Sequence, residues 1–90
     1  MITPFMHLGT EDGDVEIREQ DLPHITPAEL KRWRITRAEL RRCFAEAMEL
    51  MKGATQKDWA RHRPVCEKTL DGKWEVVGTV RYSGGPRVTP

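Results

Sequence analysis

The sequence predicts a small single-domain α+β protein: two to three helices packed on a C-terminal antiparallel β-hairpin, with an N-terminal hairpin available to complete a small sheet. Three observations carry this. An apolar stripe of helical period runs through residues 37–52. A Thr followed three residues later by an acid, the signature of a helix start, occurs at 26, 36 and 55. Asp-Gly dipeptides at 12–13 and 71–72 are flanked by residues of strand character.

Met6 and Leu8 alternate on one face, and Val15 and Ile17 alternate beyond a turn spanning 9–14, so residues 1–24 read as an acidic arm or a hairpin. The implied loop is longer than the favoured two residues. Residues 19–25 form a connector containing Pro23. Thr26, Pro27 and Glu29 then supply a cap, a first-turn proline and an acid at the positive end of the dipole. They predict a helix over 27–34 that presents Leu30 and Trp33. Thr36 with Glu39 opens a helix over 37–52, where Leu40, Cys43, Phe44, Ala47, Met48 and Met51 share one face. Lys52 and Gly53 close it. The β-branched pair Ile35-Thr36 predicts a break between these helices; the alternative is one continuous helix over 27–52.

Thr55 with Asp58 opens a third helix over 56–62, which Pro64 ends by disfavouring helical geometry at Arg63. Residues 65–70 and 73–82 then flank Asp71-Gly72, which suits a type I′ turn. Trp74 and Val76 share a face, Gly78 marks a bulge, and the second strand outruns the first, leaving 79–82 as an unpaired edge. The helical core plus this hairpin occupies 25–82. Ser83-Gly84-Gly85-Pro86 ends the order, so 83–90 reads as a flexible tail.

Composition limits the functions open to such a chain. Ninety residues bury only about 60–65% of the unfolded surface, enough for one modest core. Hydrophobic residues at 38% and charged residues at 32% fit a folded domain with a charged surface rather than a disordered one. No apolar run spans a bilayer, and residues 1–8 lack the features of a secretory signal, which implies a cytoplasmic protein without membrane contact. The +1 net charge is segregated. Residues 1–24 hold six acids against one base, net −5, and residues 25–90 hold fourteen bases against eight acids, net +6. This predicts either an acidic arm lying on a basic body or two surfaces for two partners.

Enzymatic chemistry finds little support. His7, His24 and His62 lie in three segments and in no metal motif, and Cys43 and Cys66 lack zinc spacing. They read as buried thiols. No phosphate loop or nucleophile elbow is present, and Asp12-x-Asp14 lacks the later ligands of a calcium loop. The expectation is therefore a non-enzyme with no catalytic or metal-ligating residues and no cofactor.

Two binding classes remain. For protein docking the candidates are Trp33, Arg34, Arg37, Arg41 and Trp59, because a small core leaves tryptophans partly exposed and Trp beside Arg is the composition of interface hot spots. Trp74 reads as capping the core edge with its indole N–H in water. For nucleic acid the candidates are Lys57, Arg61, Arg63 and Lys73, because the order helix, helix, short helix, hairpin looks like part of a winged helix-turn-helix, with 56–62 as recognition helix and 65–82 as wing. The short third helix, Glu49 where close packing wants a small residue, and the near-neutral charge count against it. The Arg run also suits the wet side of two helices, with Glu39 and Glu46 each spaced to pair with Arg42. A homodimer through the open hairpin edge is a further option.

A short acidic start, a compact helical centre, a Trp-bearing Asp-Gly hairpin and a loose tail resemble in style the small accessory proteins of bacteriophages and mobile elements, anti-CRISPR proteins among them. That resemblance implies docking on a host or partner protein complex to modulate or inhibit it.

Overall fold

The computed structural model describes residues 3–81, and within them one mixed four-stranded sheet has α2 packed on one face. The strands are β1 (Phe5–Thr10), β2 (Gly13–Arg18), β3 (His62–Lys68) and β4 (Trp74–Arg81). The helices are α1 (Pro27–Trp33), α2 (Arg37–Leu50) and α3 (Gln56–Arg61), preceded by a 3-10 helix over Glu19–His24. The expected small α+β domain is what forms, and the N-terminal segment is a hairpin rather than a loose arm. The tail over 83–90, and Tyr82, lie outside the described residues.

The hairpins join through their inner strands. Sheet order is β2-β1-β3-β4, and β1 runs parallel to β3 with Leu8 beside Cys66 and Gly9 beside Glu67. A parallel pair needs a long crossover, which the three helices supply. Met6, Leu8, Ile17, Cys66 and Trp74 form the inner face, and Leu40, Cys43, Phe44 and Ala47 of α2 cover it. The apolar stripe predicted for the middle helix is thus buried where expected, with Met48 at its margin.

All three Thr starts are realised as capping boxes. The Thr26, Thr36 and Thr55 hydroxyls accept from the N–H of Glu29, Glu39 and Asp58, whose carboxylates accept in return from the threonine N–H groups. Glu39 is therefore occupied in its cap, and Arg42 pairs with Glu46, 3.7 Å away. The break between α1 and α2 is real. Arg34 adopts the left-handed conformation (φ 59°), its N–H reaches the Lys31 carbonyl, and the Ile35 N–H reaches that of Leu30, a Schellman closure made without glycine.

Several boundaries and turns differ from expectation. α2 ends at Leu50, with residues 51–53 in a turn where Gly53 takes positive φ. β3 begins at His62, so Pro64 lies inside a strand instead of a loop. Pro64 lacks an N–H and precedes the first residue paired with β1, Val65, so that ladder does not need it. Because β3 starts early, His62 pairs with Arg81 and β4 does not outrun it. The N-terminal loop is only Glu11-Asp12, with Gly13 (φ 115°) rather than the two loop residues taking positive φ. At the second hairpin the loop is 69–73, the Gly72 N–H donates to the Thr69 carbonyl, and Asp71 has no positive φ. That excludes the expected type I′ turn, which requires positive φ at both centres. The bulge at Gly78 is present: the register shifts there, Val76 stays against the core, and Val80 turns outward.

Candidate functional site

A cleft of about 290 Å³ opens at one end of the sheet, where three segments distant in sequence meet. Its walls are the β1–β2 tip (Gly9, Thr10, Glu11), the last residues of α1 with the turn beyond (Arg32, Trp33, Arg34), and the end of β3 with the start of β4 (Glu67, Lys68, Trp74). Local rules put each piece there. The left-handed turn at Arg34 ends α1 beside the sheet. The parallel register brings Gly9 level with Glu67. The floor is fixed by Trp74, which is 2% exposed and whose indole N–H donates to the Arg34 carbonyl at 2.9 Å. The expectation that this indole stays wet is therefore corrected; the left-handed turn leaves a main-chain acceptor directed at it.

Charge at the rim follows the segregation seen in the sequence. Arg32 Nε donates to Asp12 Oδ2 at 2.8 Å, and Arg34 Nη1 lies 3.9 Å from Glu11 Oε2. The acidic hairpin tip thus rests on the basic end of α1, and Asp12 serves as an ion-pair partner there. Lys68 is exposed and has no ion pair among the described residues. Trp33 is half-buried: one part packs on the core and the rest lines the cleft.

The other docking candidates part company. Arg41 stands exposed on α2 without an ion pair among the described residues. Arg37 does not face outward. Its guanidinium donates to the Leu22 carbonyl at 2.8 Å and the Ile25 carbonyl at 2.5 Å, binding the connector to α2. Trp59 is only 6% exposed and packs with Phe5 (ring centroids 5.6 Å apart) and Met51 in a second small cluster. Sequence reasoning misplaced both because the loop carbonyls and the Phe5 ring that receive them are far away in the chain. It also passed over Lys68, as nothing local marks a strand end as a cleft wall.

Of the nucleic-acid candidates, Lys73 is set apart from the other three. Lys57 and Arg61 are exposed on the six-residue α3, Arg63 is half-buried in β3, and Lys73 is exposed in the far hairpin loop. α3 and Lys73 lie at opposite ends of β3, whose seven residues span about 20 Å. The outer edge of β4 is unpaired among the described residues, with Val77 56% exposed beside it, but the bulge at Gly78 interrupts the run of backbone groups an added strand would use.

Among the described residues no cluster of His, Cys, Asp and Glu could hold a metal ion, and no helix is long and apolar enough to cross a membrane. Cys43 and Cys66, expected as buried thiols, are both fully buried. Compared with protein-family models, with curated proteins and with solved structures, the chain matches none.

Proposed function

We propose that this chain is a non-catalytic docking module that binds a partner protein complex and modulates or inhibits it, in the manner of the accessory proteins it resembles in style. The reading rests on one observation above the rest: Trp33, half-buried in the wall of a cleft that Arg34 and Lys68 also line. An indole held by the core at one side and open at the other loses little freedom on binding, and Trp and Arg dominate interface hot spots for that reason. Lys68 and Arg41, without ion pairs among the described residues, and Arg34, only loosely engaged by Glu11, favour a partner surface that carries acids.

The test is affinity capture from host lysate with wild-type protein, Trp33→Ala and Arg34→Glu as baits. A hot-spot tryptophan contributes about 2 kcal/mol or more, so the Trp33→Ala bait should retain a specific partner roughly 30-fold more weakly. Partners captured equally by all three baits would refute the assigned surface. Binding to duplex DNA or RNA that weakens about 10³–10⁵-fold between roughly 50 and 200 mM salt would replace this reading with the nucleic-acid one.

A further inference from the structure

Two thiols meet in the middle of the core. Cys43 lies on α2 and Cys66 on β3, both 0% exposed, both reduced, and both in the main hydrophobic cluster. The two thiols interact with each other between the helix and the strand. Arg42 completes the group: its Nη2 lies 3.7 Å from Cys43 Sγ and also donates to the Trp74 carbonyl. A buried thiol in purely apolar surroundings is inert, whereas one with a second thiol and a guanidinium beside it has what a thiolate needs.

We propose that Cys43 and Cys66 form an oxidation site, at which a peroxide converts the pair into a disulfide joining α2 to β3. The roles divide by environment. The Arg42 guanidinium lies beside the Cys43 sulfur and not beside Cys66, and the neighbouring Cys66 together with Arg42 lowers the Cys43 thiol against the opposing effect of burial, so Cys43 is the attacking sulfur. The same interaction between the thiols, with burial, pushes the Cys66 thiol up, so Cys66 keeps its proton until it resolves the intermediate. In the first step the Cys43 thiolate attacks one peroxide oxygen, the O–O bond breaks, Cys43 becomes a sulfenic acid, and the departing hydroxide leaves as water with a proton. In the second step the Cys66 sulfur attacks Cys43, the S–O bond breaks, the S–S bond forms, and a second water leaves. Two electrons pass from the sulfurs to the peroxide. Both thiols are fully buried, so a peroxide reaches them when α2 opens locally from β3. The site is independent of the docking surface, although Arg42 links it to the cleft floor through Trp74.

The experiment exposes reduced, folded wild-type protein to a small excess of hydrogen peroxide, then unfolds it and alkylates the remaining thiols. The expected result is a monomer lighter by two hydrogens that takes up no alkyl group, yields a linked Cys43–Cys66 peptide and is restored by dithiothreitol. Cys66→Ser should stop at a Cys43 sulfenic acid that dimedone traps, and Cys43→Ser should leave Cys66 alkylatable. The proposal is overturned if the wild type keeps both alkylatable thiols, if it crosslinks only between chains, or if Cys43 proceeds to sulfinic acid while Cys66 stays free. Because the deciding readout is on the wild type, poor folding of either variant does not protect the proposal.

Discussion

Replacing Arg37 with methionine separates a structural role from a docking role. Its guanidinium bonds two carbonyls of the connector, those of Leu22 and Ile25, at 2.8 and 2.5 Å. Hydrogen bonds to a charged group contribute about 1.5–3 kcal/mol each, but the side chain is half-buried and water can replace part of what is lost. Methionine keeps most of the aliphatic packing and removes only the donors. The loss should therefore fall at or just below the bottom of the summed range, about 2–3 kcal/mol. For a domain of this size the urea dependence is about 1 kcal/mol per molar, so the unfolding midpoint should drop by roughly 2 M. Arg41→Met, one turn along α2, removes an exposed charge with no ion pair among the described residues and should move stability by less than about 0.5 kcal/mol. Equilibrium urea unfolding followed by circular dichroism measures both. Equal midpoints for the two variants would refute the clamp and return Arg37 to the list of docking residues.

Three other outcomes follow from the same geometry. Trp59→Ala opens a cavity against Phe5 and Met51 and should cost about 3–5 kcal/mol, read as a large fall in thermal midpoint, where an exposed tryptophan would cost almost nothing. Thr36→Ala removes the hydroxyl of the α2 capping box and should cost about 1 kcal/mol in urea unfolding, with Thr36→Ser restoring most of it. His7 has its pKa lowered from 6.5, first by burial and then by Arg63, so the unfolded chain binds the proton more readily. Its contribution to stability is present above pH 6.5 and lost as the pH falls toward its folded value; His7→Asn should flatten that part of the stability–pH curve, and an unchanged slope would contradict the assignment.

What the sequence revealed divides by range. Capping boxes act over three residues and a helical stripe over fourteen, so the buried face of α2 and the three helix starts were legible, though not where α2 ends. Gly78 marked its bulge because a strand glycine is a local signal. The parallel pairing of β1 with β3 was not legible, since alternation fixes which face a side chain takes but not which strand lies beside it. The ending of α1 was half legible: β-branched Ile35 and Thr36 signalled a break, but the residue that makes it, Arg34, carries none of the usual glycine marking of a left-handed cap. The same limit explains the site. Trp33 and Arg34 are neighbours in the chain and were found together; Lys68 and Glu67 reach them only through the β1–β3 register. Arg37 and Trp59 were misassigned because composition ranks a residue by its type, whereas burial is decided by what the fold sets opposite it.

The charge segregation between residues 1–24 and the rest also acquires a physical meaning. It is realised at the cleft rim as Asp12 on Arg32 and Glu11 on Arg34, both exposed pairs. Exposed pairs contribute about 0–1 kcal/mol each, so they do little to hold the hairpin tip down. The tip is held instead by the buried strand residues behind it, Met6, Leu8 and Ile17. Glu11 and Asp12 are thus free to act as weak occupants of a basic site that the rest of the fold builds. A partner carboxylate reaching Arg34 displaces a contact already stretched to 3.9 Å and gives up almost nothing in exchange. One that needs Arg32 must break a 2.8 Å charge-assisted bond, so under the proposed docking function Asp12 would be the stronger filter on a partner.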